Sequence, residues 1–409
     1  MTSRLSKLRS TLPVALAAVA LLAGDRAEAA PCTDLPNPVF VGGSSASKPI
    51  LKNLNQILTS RDEPVTIVYT SRGSCEGADA VVNGTLLTQK TITWDESGAE
   101  VECEPPAGGI QVDVGVSDVN ASLCAGVEVT ESHKDFLGPI QVMTFAAPLT
   151  SSENSISAEA AYVVLGFGGQ QHQVDPWINE ADLHIRSNSS GTKIMIAEAI
   201  DLPAASWKGT VQGGSGDVAT AVLAAADLGK QDSTFGILAA DYVDKNRDKV
   251  KVLAFQARGQ SCGYLPDSDA QSFDKINVRE GRYDIWGSLH MIANVDGSGS
   301  PVAGVSERGN DSVRAFIDAL THAGLTPEEQ EAQIVAEAQA NTIPVCAMKV
   351  TRSEEVGPTS PFTPDVACGC FYESVVGGGT TYSDCTPCED DAQCSGSTPA
   401  CNFGYCEAQ

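Results

Sequence analysis

The chain has 409 residues, with 26 Lys and Arg against 52 Asp and Glu for a net charge of −26. So acidic a protein is a poor partner for the phosphate backbone, which excludes nucleic acid, whereas a local site built from backbone N–H groups and one guanidinium can still take an anion. At roughly 150 residues per domain, the length allows two or three domains.

Arg4, Lys7 and Arg9 precede an apolar run from Leu12 to Leu22 and then Ala27-Glu28-Ala29, the pattern of an export signal over residues 1–29 with cleavage after Ala29. The run is too short to span a bilayer. Cys32 follows Ala-Ala-Pro instead of a lipid-attachment box, so an exported, periplasmic or cell-surface product is expected.

From Pro38 to about residue 350, short β-branched runs alternate with helical stretches, the signature of an α/β fold. Strands are predicted at 39–41, 65–69, 112–116, 140–145, 161–165, 183–186, 250–254 and 290–295. Helices are predicted at 48–59, 191–200, 215–226, 311–323 and 327–341. Residues 87–109 interrupt the alternation with a polar, hairpin-like segment holding Cys103, read as a surface insertion. Residues 351–365 form a Pro/Ser/Thr/Glu-rich linker. The tail at 366–409 is rich in Cys, Gly and Asp and can fold only by stapling.

The thirteen cysteines fall unevenly. Cys32, Cys75, Cys103, Cys124 and Cys262 are scattered, and eight lie between Cys346 and Cys406. In an exported chain they predict disulfides, and the odd count leaves at least one thiol outside an internal pair. The same context turns Cys385-x-x-Cys388 towards disulfides and away from zinc or redox chemistry. The five histidines show no HxH or HExxH spacing, so neither a metal nor another cofactor is expected.

Four segments follow strands with Gly or hydroxyl residues: Gly42 to Ser47, Ser71-Arg72-Gly73-Ser74, Ser117-Asp118, and Arg186 to Thr192. A helix N-terminus presents free N–H groups and partial positive charge, and Ser or Thr hydroxyls add donors. Several such ends meeting in one cleft make a dry oxyanion site. Singly, each has a plainer reading: Ser190-Gly191-Thr192 as a capping turn, Asp118 as a cap for residues 119–123, and Arg72 as a solvated turn charge.

In order and type these motifs resemble those of the periplasmic phosphate-binding proteins of ABC importers (PstS-like, type II periplasmic-binding-protein superfamily). The resemblance is carried by VGGSSASKP after the first strand, the Gly-Ser pair at 73–74, a strand ending in Ser117-Asp118, and RSNSSGT at 186–192; it extends to the Gly/Ser segment at 213–216 before a helix, and the stretch from Ser233 to Leu238 fits a further strand. It implies a two-lobed fold, with lobe 1 from 37–135 plus 285–350 and lobe 2 from 136–284, followed by a small disulfide-rich module. It also implies that Ser45 and Ala46 donate from the first loop and Ser74 from the second. Asp118 accepts from the ligand, Arg186 supplies charge, and Ser190, Gly191 and Thr192 cap the ligand from the other lobe. An Arg fork suits a tetrahedral oxyanion, and a carboxylate tolerates an anion that brings a proton. Asn188 stands where an acidic residue is usual, and Ala46-Ser47 where Phe-Pro is usual.

The expected activity is binding without catalysis: capture of phosphate or a related oxyanion, by a monomer, for the membrane permease of an ABC importer. The alternative is a surface or interaction protein that keeps the fold without transport, its Cys-rich tail contacting a partner or the envelope. A secreted phosphatase ranks below both, because no metal cluster or activated nucleophile is apparent.

Overall fold

A computed structural model describes residues 29–168, 174–305, 309–381, 383 and 385–408. The apolar run of the predicted export signal therefore lies outside the described residues. No described helix is long and apolar enough to cross a membrane.

The first half of the chain lays down β1 (Pro38–Ser44), α1 (Lys48–Thr59), β2 (Thr66–Arg72), α2 (Ser74–Val82), β3 (Thr91–Trp94), β4 (Glu100–Glu102) and β5 (Val114–Ser117). It then enters the long β6 (His133–Pro148). β7 (Ser155–Ser157), α3 (Ala158–Phe167), β8 (Leu183–Arg186), α4 (Gly191–Ile200), β9 (Thr210–Gln212), α5 (Ser215–Ala225), β10 (Phe235–Ala239) and α6 (Ala240–Asp244) follow. After β11 (Val250–Val252), β12 (Ala254–Gln256) and α7 (Ile276–Arg279), the chain returns through β13 (Trp286–Val295) to β14 (Pro301–Val302), α8 (Asn310–Thr321) and α9 (Pro327–Gln339).

One 12-stranded sheet carries this architecture in the order β4-β3-β2-β1-β5-β13-β6-β10-β8-β9, with β11 beside β6 and β14 beside β13. β1 runs parallel to β2 and β5, and β8 runs parallel to β9 and β10, so each half of the sheet has its own parallel core. The halves are joined by two antiparallel strands. β6 pairs with β13 through His133–Val142 and with β10 and β11 through Met143–Pro148. These shared strands are the crossings between two lobes, and the cleft lies at the carboxyl ends of the parallel strands.

Parallel strands covered on both faces must be apolar throughout, which explains the wholly buried runs Val39–Ser44 and Val114–Ser117. In lobe 1, Val41, Ile67 and Val116 pack with Leu51 and Leu54 of α1 and Phe316 of α8. In lobe 2 the Phe145 ring meets Phe235 edge-on and stacks on Phe255. Gly77 of α2 lets that helix touch the strands: a Cβ there would stand 2.5 Å from the Gly42 carbonyl. That close approach brings the start of α2 to the strand ends.

Three predictions change. Residues 161–165 belong to α3, because Ser157 accepts from the Ala160 N–H and starts a helix that the short apolar run alone did not reveal. Residues 87–109 do contain an antiparallel hairpin, but β3 is fully buried and extends the main sheet through β2. Residues 351–365 do not run free. They fold back through β15 (Val350–Thr351) and β16 (Ser360–Pro361), and the loop between these strands packs on the crossing strands. The tail adds α10 (Gly369–Val376) and the hairpin β17 (Ala400–Asn402) and β18 (Tyr405–Glu407).

Twelve of the thirteen cysteines pair: Cys32–Cys103, Cys75–Cys124, Cys346–Cys368, Cys370–Cys385, Cys388–Cys401 and Cys394–Cys406. Cys262 is the free, exposed thiol.

His290 of β13 is buried between two carboxylates. Its Nδ1 lies 2.6 Å from Asp135 of β6 and its Nε2 lies 2.7 Å from Glu355 of the folded-back segment. Both partners accept, so both ring nitrogens carry protons. Burial works to lower the imidazole pKa, but the bonds and charges of Asp135 and Glu355 outweigh it and raise the value to about 9. A base raised in the folded state stabilises fully below its unfolded value of 6.5, and that stability is lost as pH rises through about 9. Urea unfolding midpoints should therefore fall across this window by the equivalent of a few kcal/mol, and His290→Gln should flatten the fall.

Candidate functional site

Ser44 closes β1, and residues 45–47 turn the chain into α1. The Ser44 hydroxyl donates a short hydrogen bond to Asp118 Oδ1 and accepts from the Ala46 N–H at 3.0 Å. The Ser44 carbonyl accepts from the Tyr69 hydroxyl at 2.6 Å, and the Tyr69 ring stacks on Trp94 with centroids 6.0 Å apart. The hairpin thus buttresses the first loop of the cleft.

Ser74 opens α2. Its hydroxyl lies 3.1 Å from Asp118 Oδ2, to which it donates, and 3.1 Å from the Asp118 N–H, from which it accepts. The Cys75–Cys124 disulfide fastens this turn to the segment that follows Asp118. Asp118 is 2% exposed with both carboxylate oxygens engaged by serines. Burial raises its pKa, against the serine bonds and the charge of Arg186, which lower it.

Arg186 ends β8 in the other lobe and is 4% exposed. Its Nη1 donates to Ser215 Oγ at 2.7 Å and makes a longer contact with Ser45 Oγ at 3.4 Å, and the two hydroxyls stand 3.1 Å apart across the cleft. Among the described residues no carboxylate comes within ion-pair distance of Arg186, and its buried Nε has no partner. Burial lowers its pKa, and Asp118, Tyr242, Asp217 and Glu76 oppose that fall through their charge.

Gly191 opens α4 against the facing lobe: a Cβ there would lie 2.3 Å from Ser74 Oγ and 2.7 Å from Asp118 Cβ. Ser190 occupies the N-cap position, yet its hydroxyl makes no capping bond, so the plain capping role is not realised. Thr192 is buried in the first turn. The rim is closed by Cys75 N–H donating to the Ser189 carbonyl at 3.1 Å and by Ser189 Oγ donating to Glu76 at 2.8 Å.

Hydrogen bonds thus join Ala46, Ser74 and Asp118 through Ser44, and Arg186 and Ser45 through Ser215; Gly191 lies close against Ser74 and Asp118, with Ser190 and Thr192 flanking it. Sequence reasoning missed Ser44, Ser215, Tyr69 and Glu76. Ser44 and Ser215 lie in Gly/Ser segments already visible as helix openings, but which hydroxyl meets which charge depends on the register of the closed lobes. Asn188 does not hold Arg186. It accepts from Lys193 Nζ at 2.8 Å, and Lys193, buried near the Trp207 ring, has its pKa lowered by burial to about 8. Arg72 is exposed.

No family model matches the sequence, and no curated protein matches it. Among solved structures, the chain is similar to a Clostridium perfringens protein assigned as a phosphate ABC transporter substrate-binding protein, with bound phosphate. Identity is 12%, coverage is 76% of this chain and 100% of that one, and the TM-score is 0.50. An ABC-type phosphate transport receptor from Vibrio cholerae matches at 12% identity over 75% and 99% with a TM-score of 0.45. The reduced OxyR regulatory domain from Pseudomonas aeruginosa matches at 10% over 71% and 100% with a TM-score of 0.39. At such identities the likeness defines the fold alone. The chain has the two-lobed α/β fold of type II periplasmic-binding proteins, followed by a disulfide-rich C-terminal module.

Gly191→Ala should wedge the lobes apart, since the new methyl meets Asp118 as well as the mobile Ser74 hydroxyl. Hydrogen exchange at the Cys75 amide, which bonds across the rim, should accelerate by roughly tenfold or more, while exchange inside β2 stays unchanged.

Proposed function

We propose that the chain captures inorganic phosphate, or a closely related oxyanion, in the cleft between its lobes. The carrying observation is the buried Arg186 guanidinium, which has no carboxylate within ion-pair distance among the described residues and an Nε without a hydrogen-bond partner there. An uncompensated buried charge costs several kcal/mol, and a bound anion offsets that cost. The openings of α1, α2, α4 and α5 come together at the cleft, and the partial positive charge of helix N-termini supports the same sign of ligand. Ser45, Ala46, Ser74, Ser190, Gly191 and Thr192 are the donors in this reading.

Asp118 supplies selectivity. Its raised pKa and its place beside Arg186 suit an anion that carries its own proton, such as a hydrogen phosphate, and disfavour fully ionised sulfate. Export and delivery to the permease of an ABC importer, as a monomer, complete this reading. The second reading, a surface protein that keeps the cleft without transport, is favoured by the C-terminal module, which contacts both lobes.

Isothermal titration of anion-stripped protein with phosphate, sulfate and arsenate tests the assignment. Phosphate and arsenate should bind at micromolar strength or tighter and sulfate should not, and Arg186→Ala should weaken binding by at least about a hundredfold. Absence of heat with every anion would reject it.

A further inference from the structure

The C-terminal module is not a pendant. Its helix α10 is wedged between the lobes, packing on α9 of lobe 1 and on the α7 region of lobe 2. Phe273 from lobe 2, Ala338 and Asn341 from the end of α9, and Val375 and Val376 from α10 line one common cavity. Gln339 belongs to that cavity and also to a neighbouring one lined by Lys48 of lobe 1 and Tyr242 of lobe 2.

The polar contacts are buried and reach lobe 2 directly. Glu373 of α10 pairs with Arg279 of α7 at 2.7 Å, both essentially without solvent exposure. The Arg279 guanidinium sits 5.4 Å from the Tyr372 ring and donates through Nε to the Ala347 carbonyl at 2.8 Å. Cys346–Cys368 fixes the start of α10 to the segment that leaves α9, and that segment pairs with β6 through Ile343 and Ile140.

Between these anchors, residues 351–365 cross the backs of the two shared strands. Arg352 lies 3.7 Å over the Trp286 ring and donates to the carbonyls of Asp284 and Trp286 at 3.2 and 3.3 Å, while Glu355 bonds to His290. A Cβ on Gly287 would meet Met195 Cε at 2.7 Å, Glu355 Oε2 at 2.8 Å and the Asp118 carbonyl at 3.5 Å, so the segment reaches the stretch of β13 that lies beside the Asp118 backbone.

A two-lobed protein opens by bending its shared strands, and it can do so only if contacts between the lobes are few. Here α10 is held to lobe 1 through α9 and to lobe 2 through the buried Glu373–Arg279 pair, so opening must break one of these interfaces, and the Arg352 and Glu355 contacts stiffen the shared strand β13 that would have to bend. We propose that the C-terminal module is a strap that fastens the two lobes to each other, holding the site closed in the empty protein and slowing exchange of its ligand. The ligand-exchange part rests on the oxyanion reading above; the closure itself does not.

The test is amide hydrogen exchange on the full-length, anion-free protein. The Cys75 amide reports closure of the rim, and the Ile67 amide, bonded to Asn55 inside lobe 1, reports the integrity of that lobe. In the native protein the Cys75 amide should be protected. Glu373→Gln and, separately, Arg352→Ala with Glu355→Gln should each speed its exchange by roughly tenfold or more while Ile67 stays protected. If Glu373→Gln also exposes Ile67, that variant reports unfolding and the hinge variant decides alone. Rapid Cys75 exchange in the native protein, or no acceleration in a folded variant, would overturn the strap. Because no ligand is present, failure to bind phosphate would leave this result standing. If phosphate does bind, its dissociation should quicken in the same variants, and unchanged dissociation would overturn the slowed exchange.

Discussion

An arginine side chain buried with no counterion among the described residues is the constraint around which the cleft is arranged. Of those residues only hydroxyls hold Arg186, Ser215 closely and Ser45 at longer range, so its charge is oriented but not neutralised by them. The nearby carboxylate is occupied elsewhere, since Ser44 and Ser74 engage both oxygens of Asp118. Direct neutralisation of Arg186 by Asp118 would collapse the site. The serines give each side chain its own partners, so the guanidinium and the carboxylate stay apart.

The features that depart from a plain two-lobed plan support this arrangement. Trp94 in the hairpin backs Tyr69, and Tyr69 pins the carbonyl of Ser44. Cys75–Cys124 joins the turn that carries Ser74 to the segment after Asp118. The folded-back segment meets β13 at His290, and α10 grips both lobes through α9 and Arg279. For an acidic chain this division is reasonable. The surface carries the net negative charge that keeps the protein dispersed, while a few buried dipoles and one guanidinium set the potential of the cleft.

Much of this was legible in the sequence because the relevant signals are local. α1 begins at Lys48, with Pro49 in its first turn and Ile50, Leu51, Leu54 and Leu58 buried; both of its ends, and the bounds of β8 and α4, fall where periodicity and turn residues put them. The helix α3 was missed because a five-residue apolar run fits a buried strand as well as a buried helix, and the deciding feature was the Ser157 cap outside the run. Ser44 and Ser215 stood in recognised Gly/Ser segments, but their roles arise from contacts over long sequence separations. The strap was illegible for the same reason. A Glu in a Cys-rich tail and an Arg 94 residues earlier give no local sign of pairing, and composition made the intervening segment look like a linker.

The most direct test of the central claim is a crystal structure of the protein with arsenate, read through the anomalous signal of arsenic. The account predicts one strong peak in the cleft, with arsenate oxygens about 2.7–3.1 Å from Arg186 Nε and from donors at the openings of α1 and α4. A saturated crystal with arsenic elsewhere, or with none in the cleft, would contradict it.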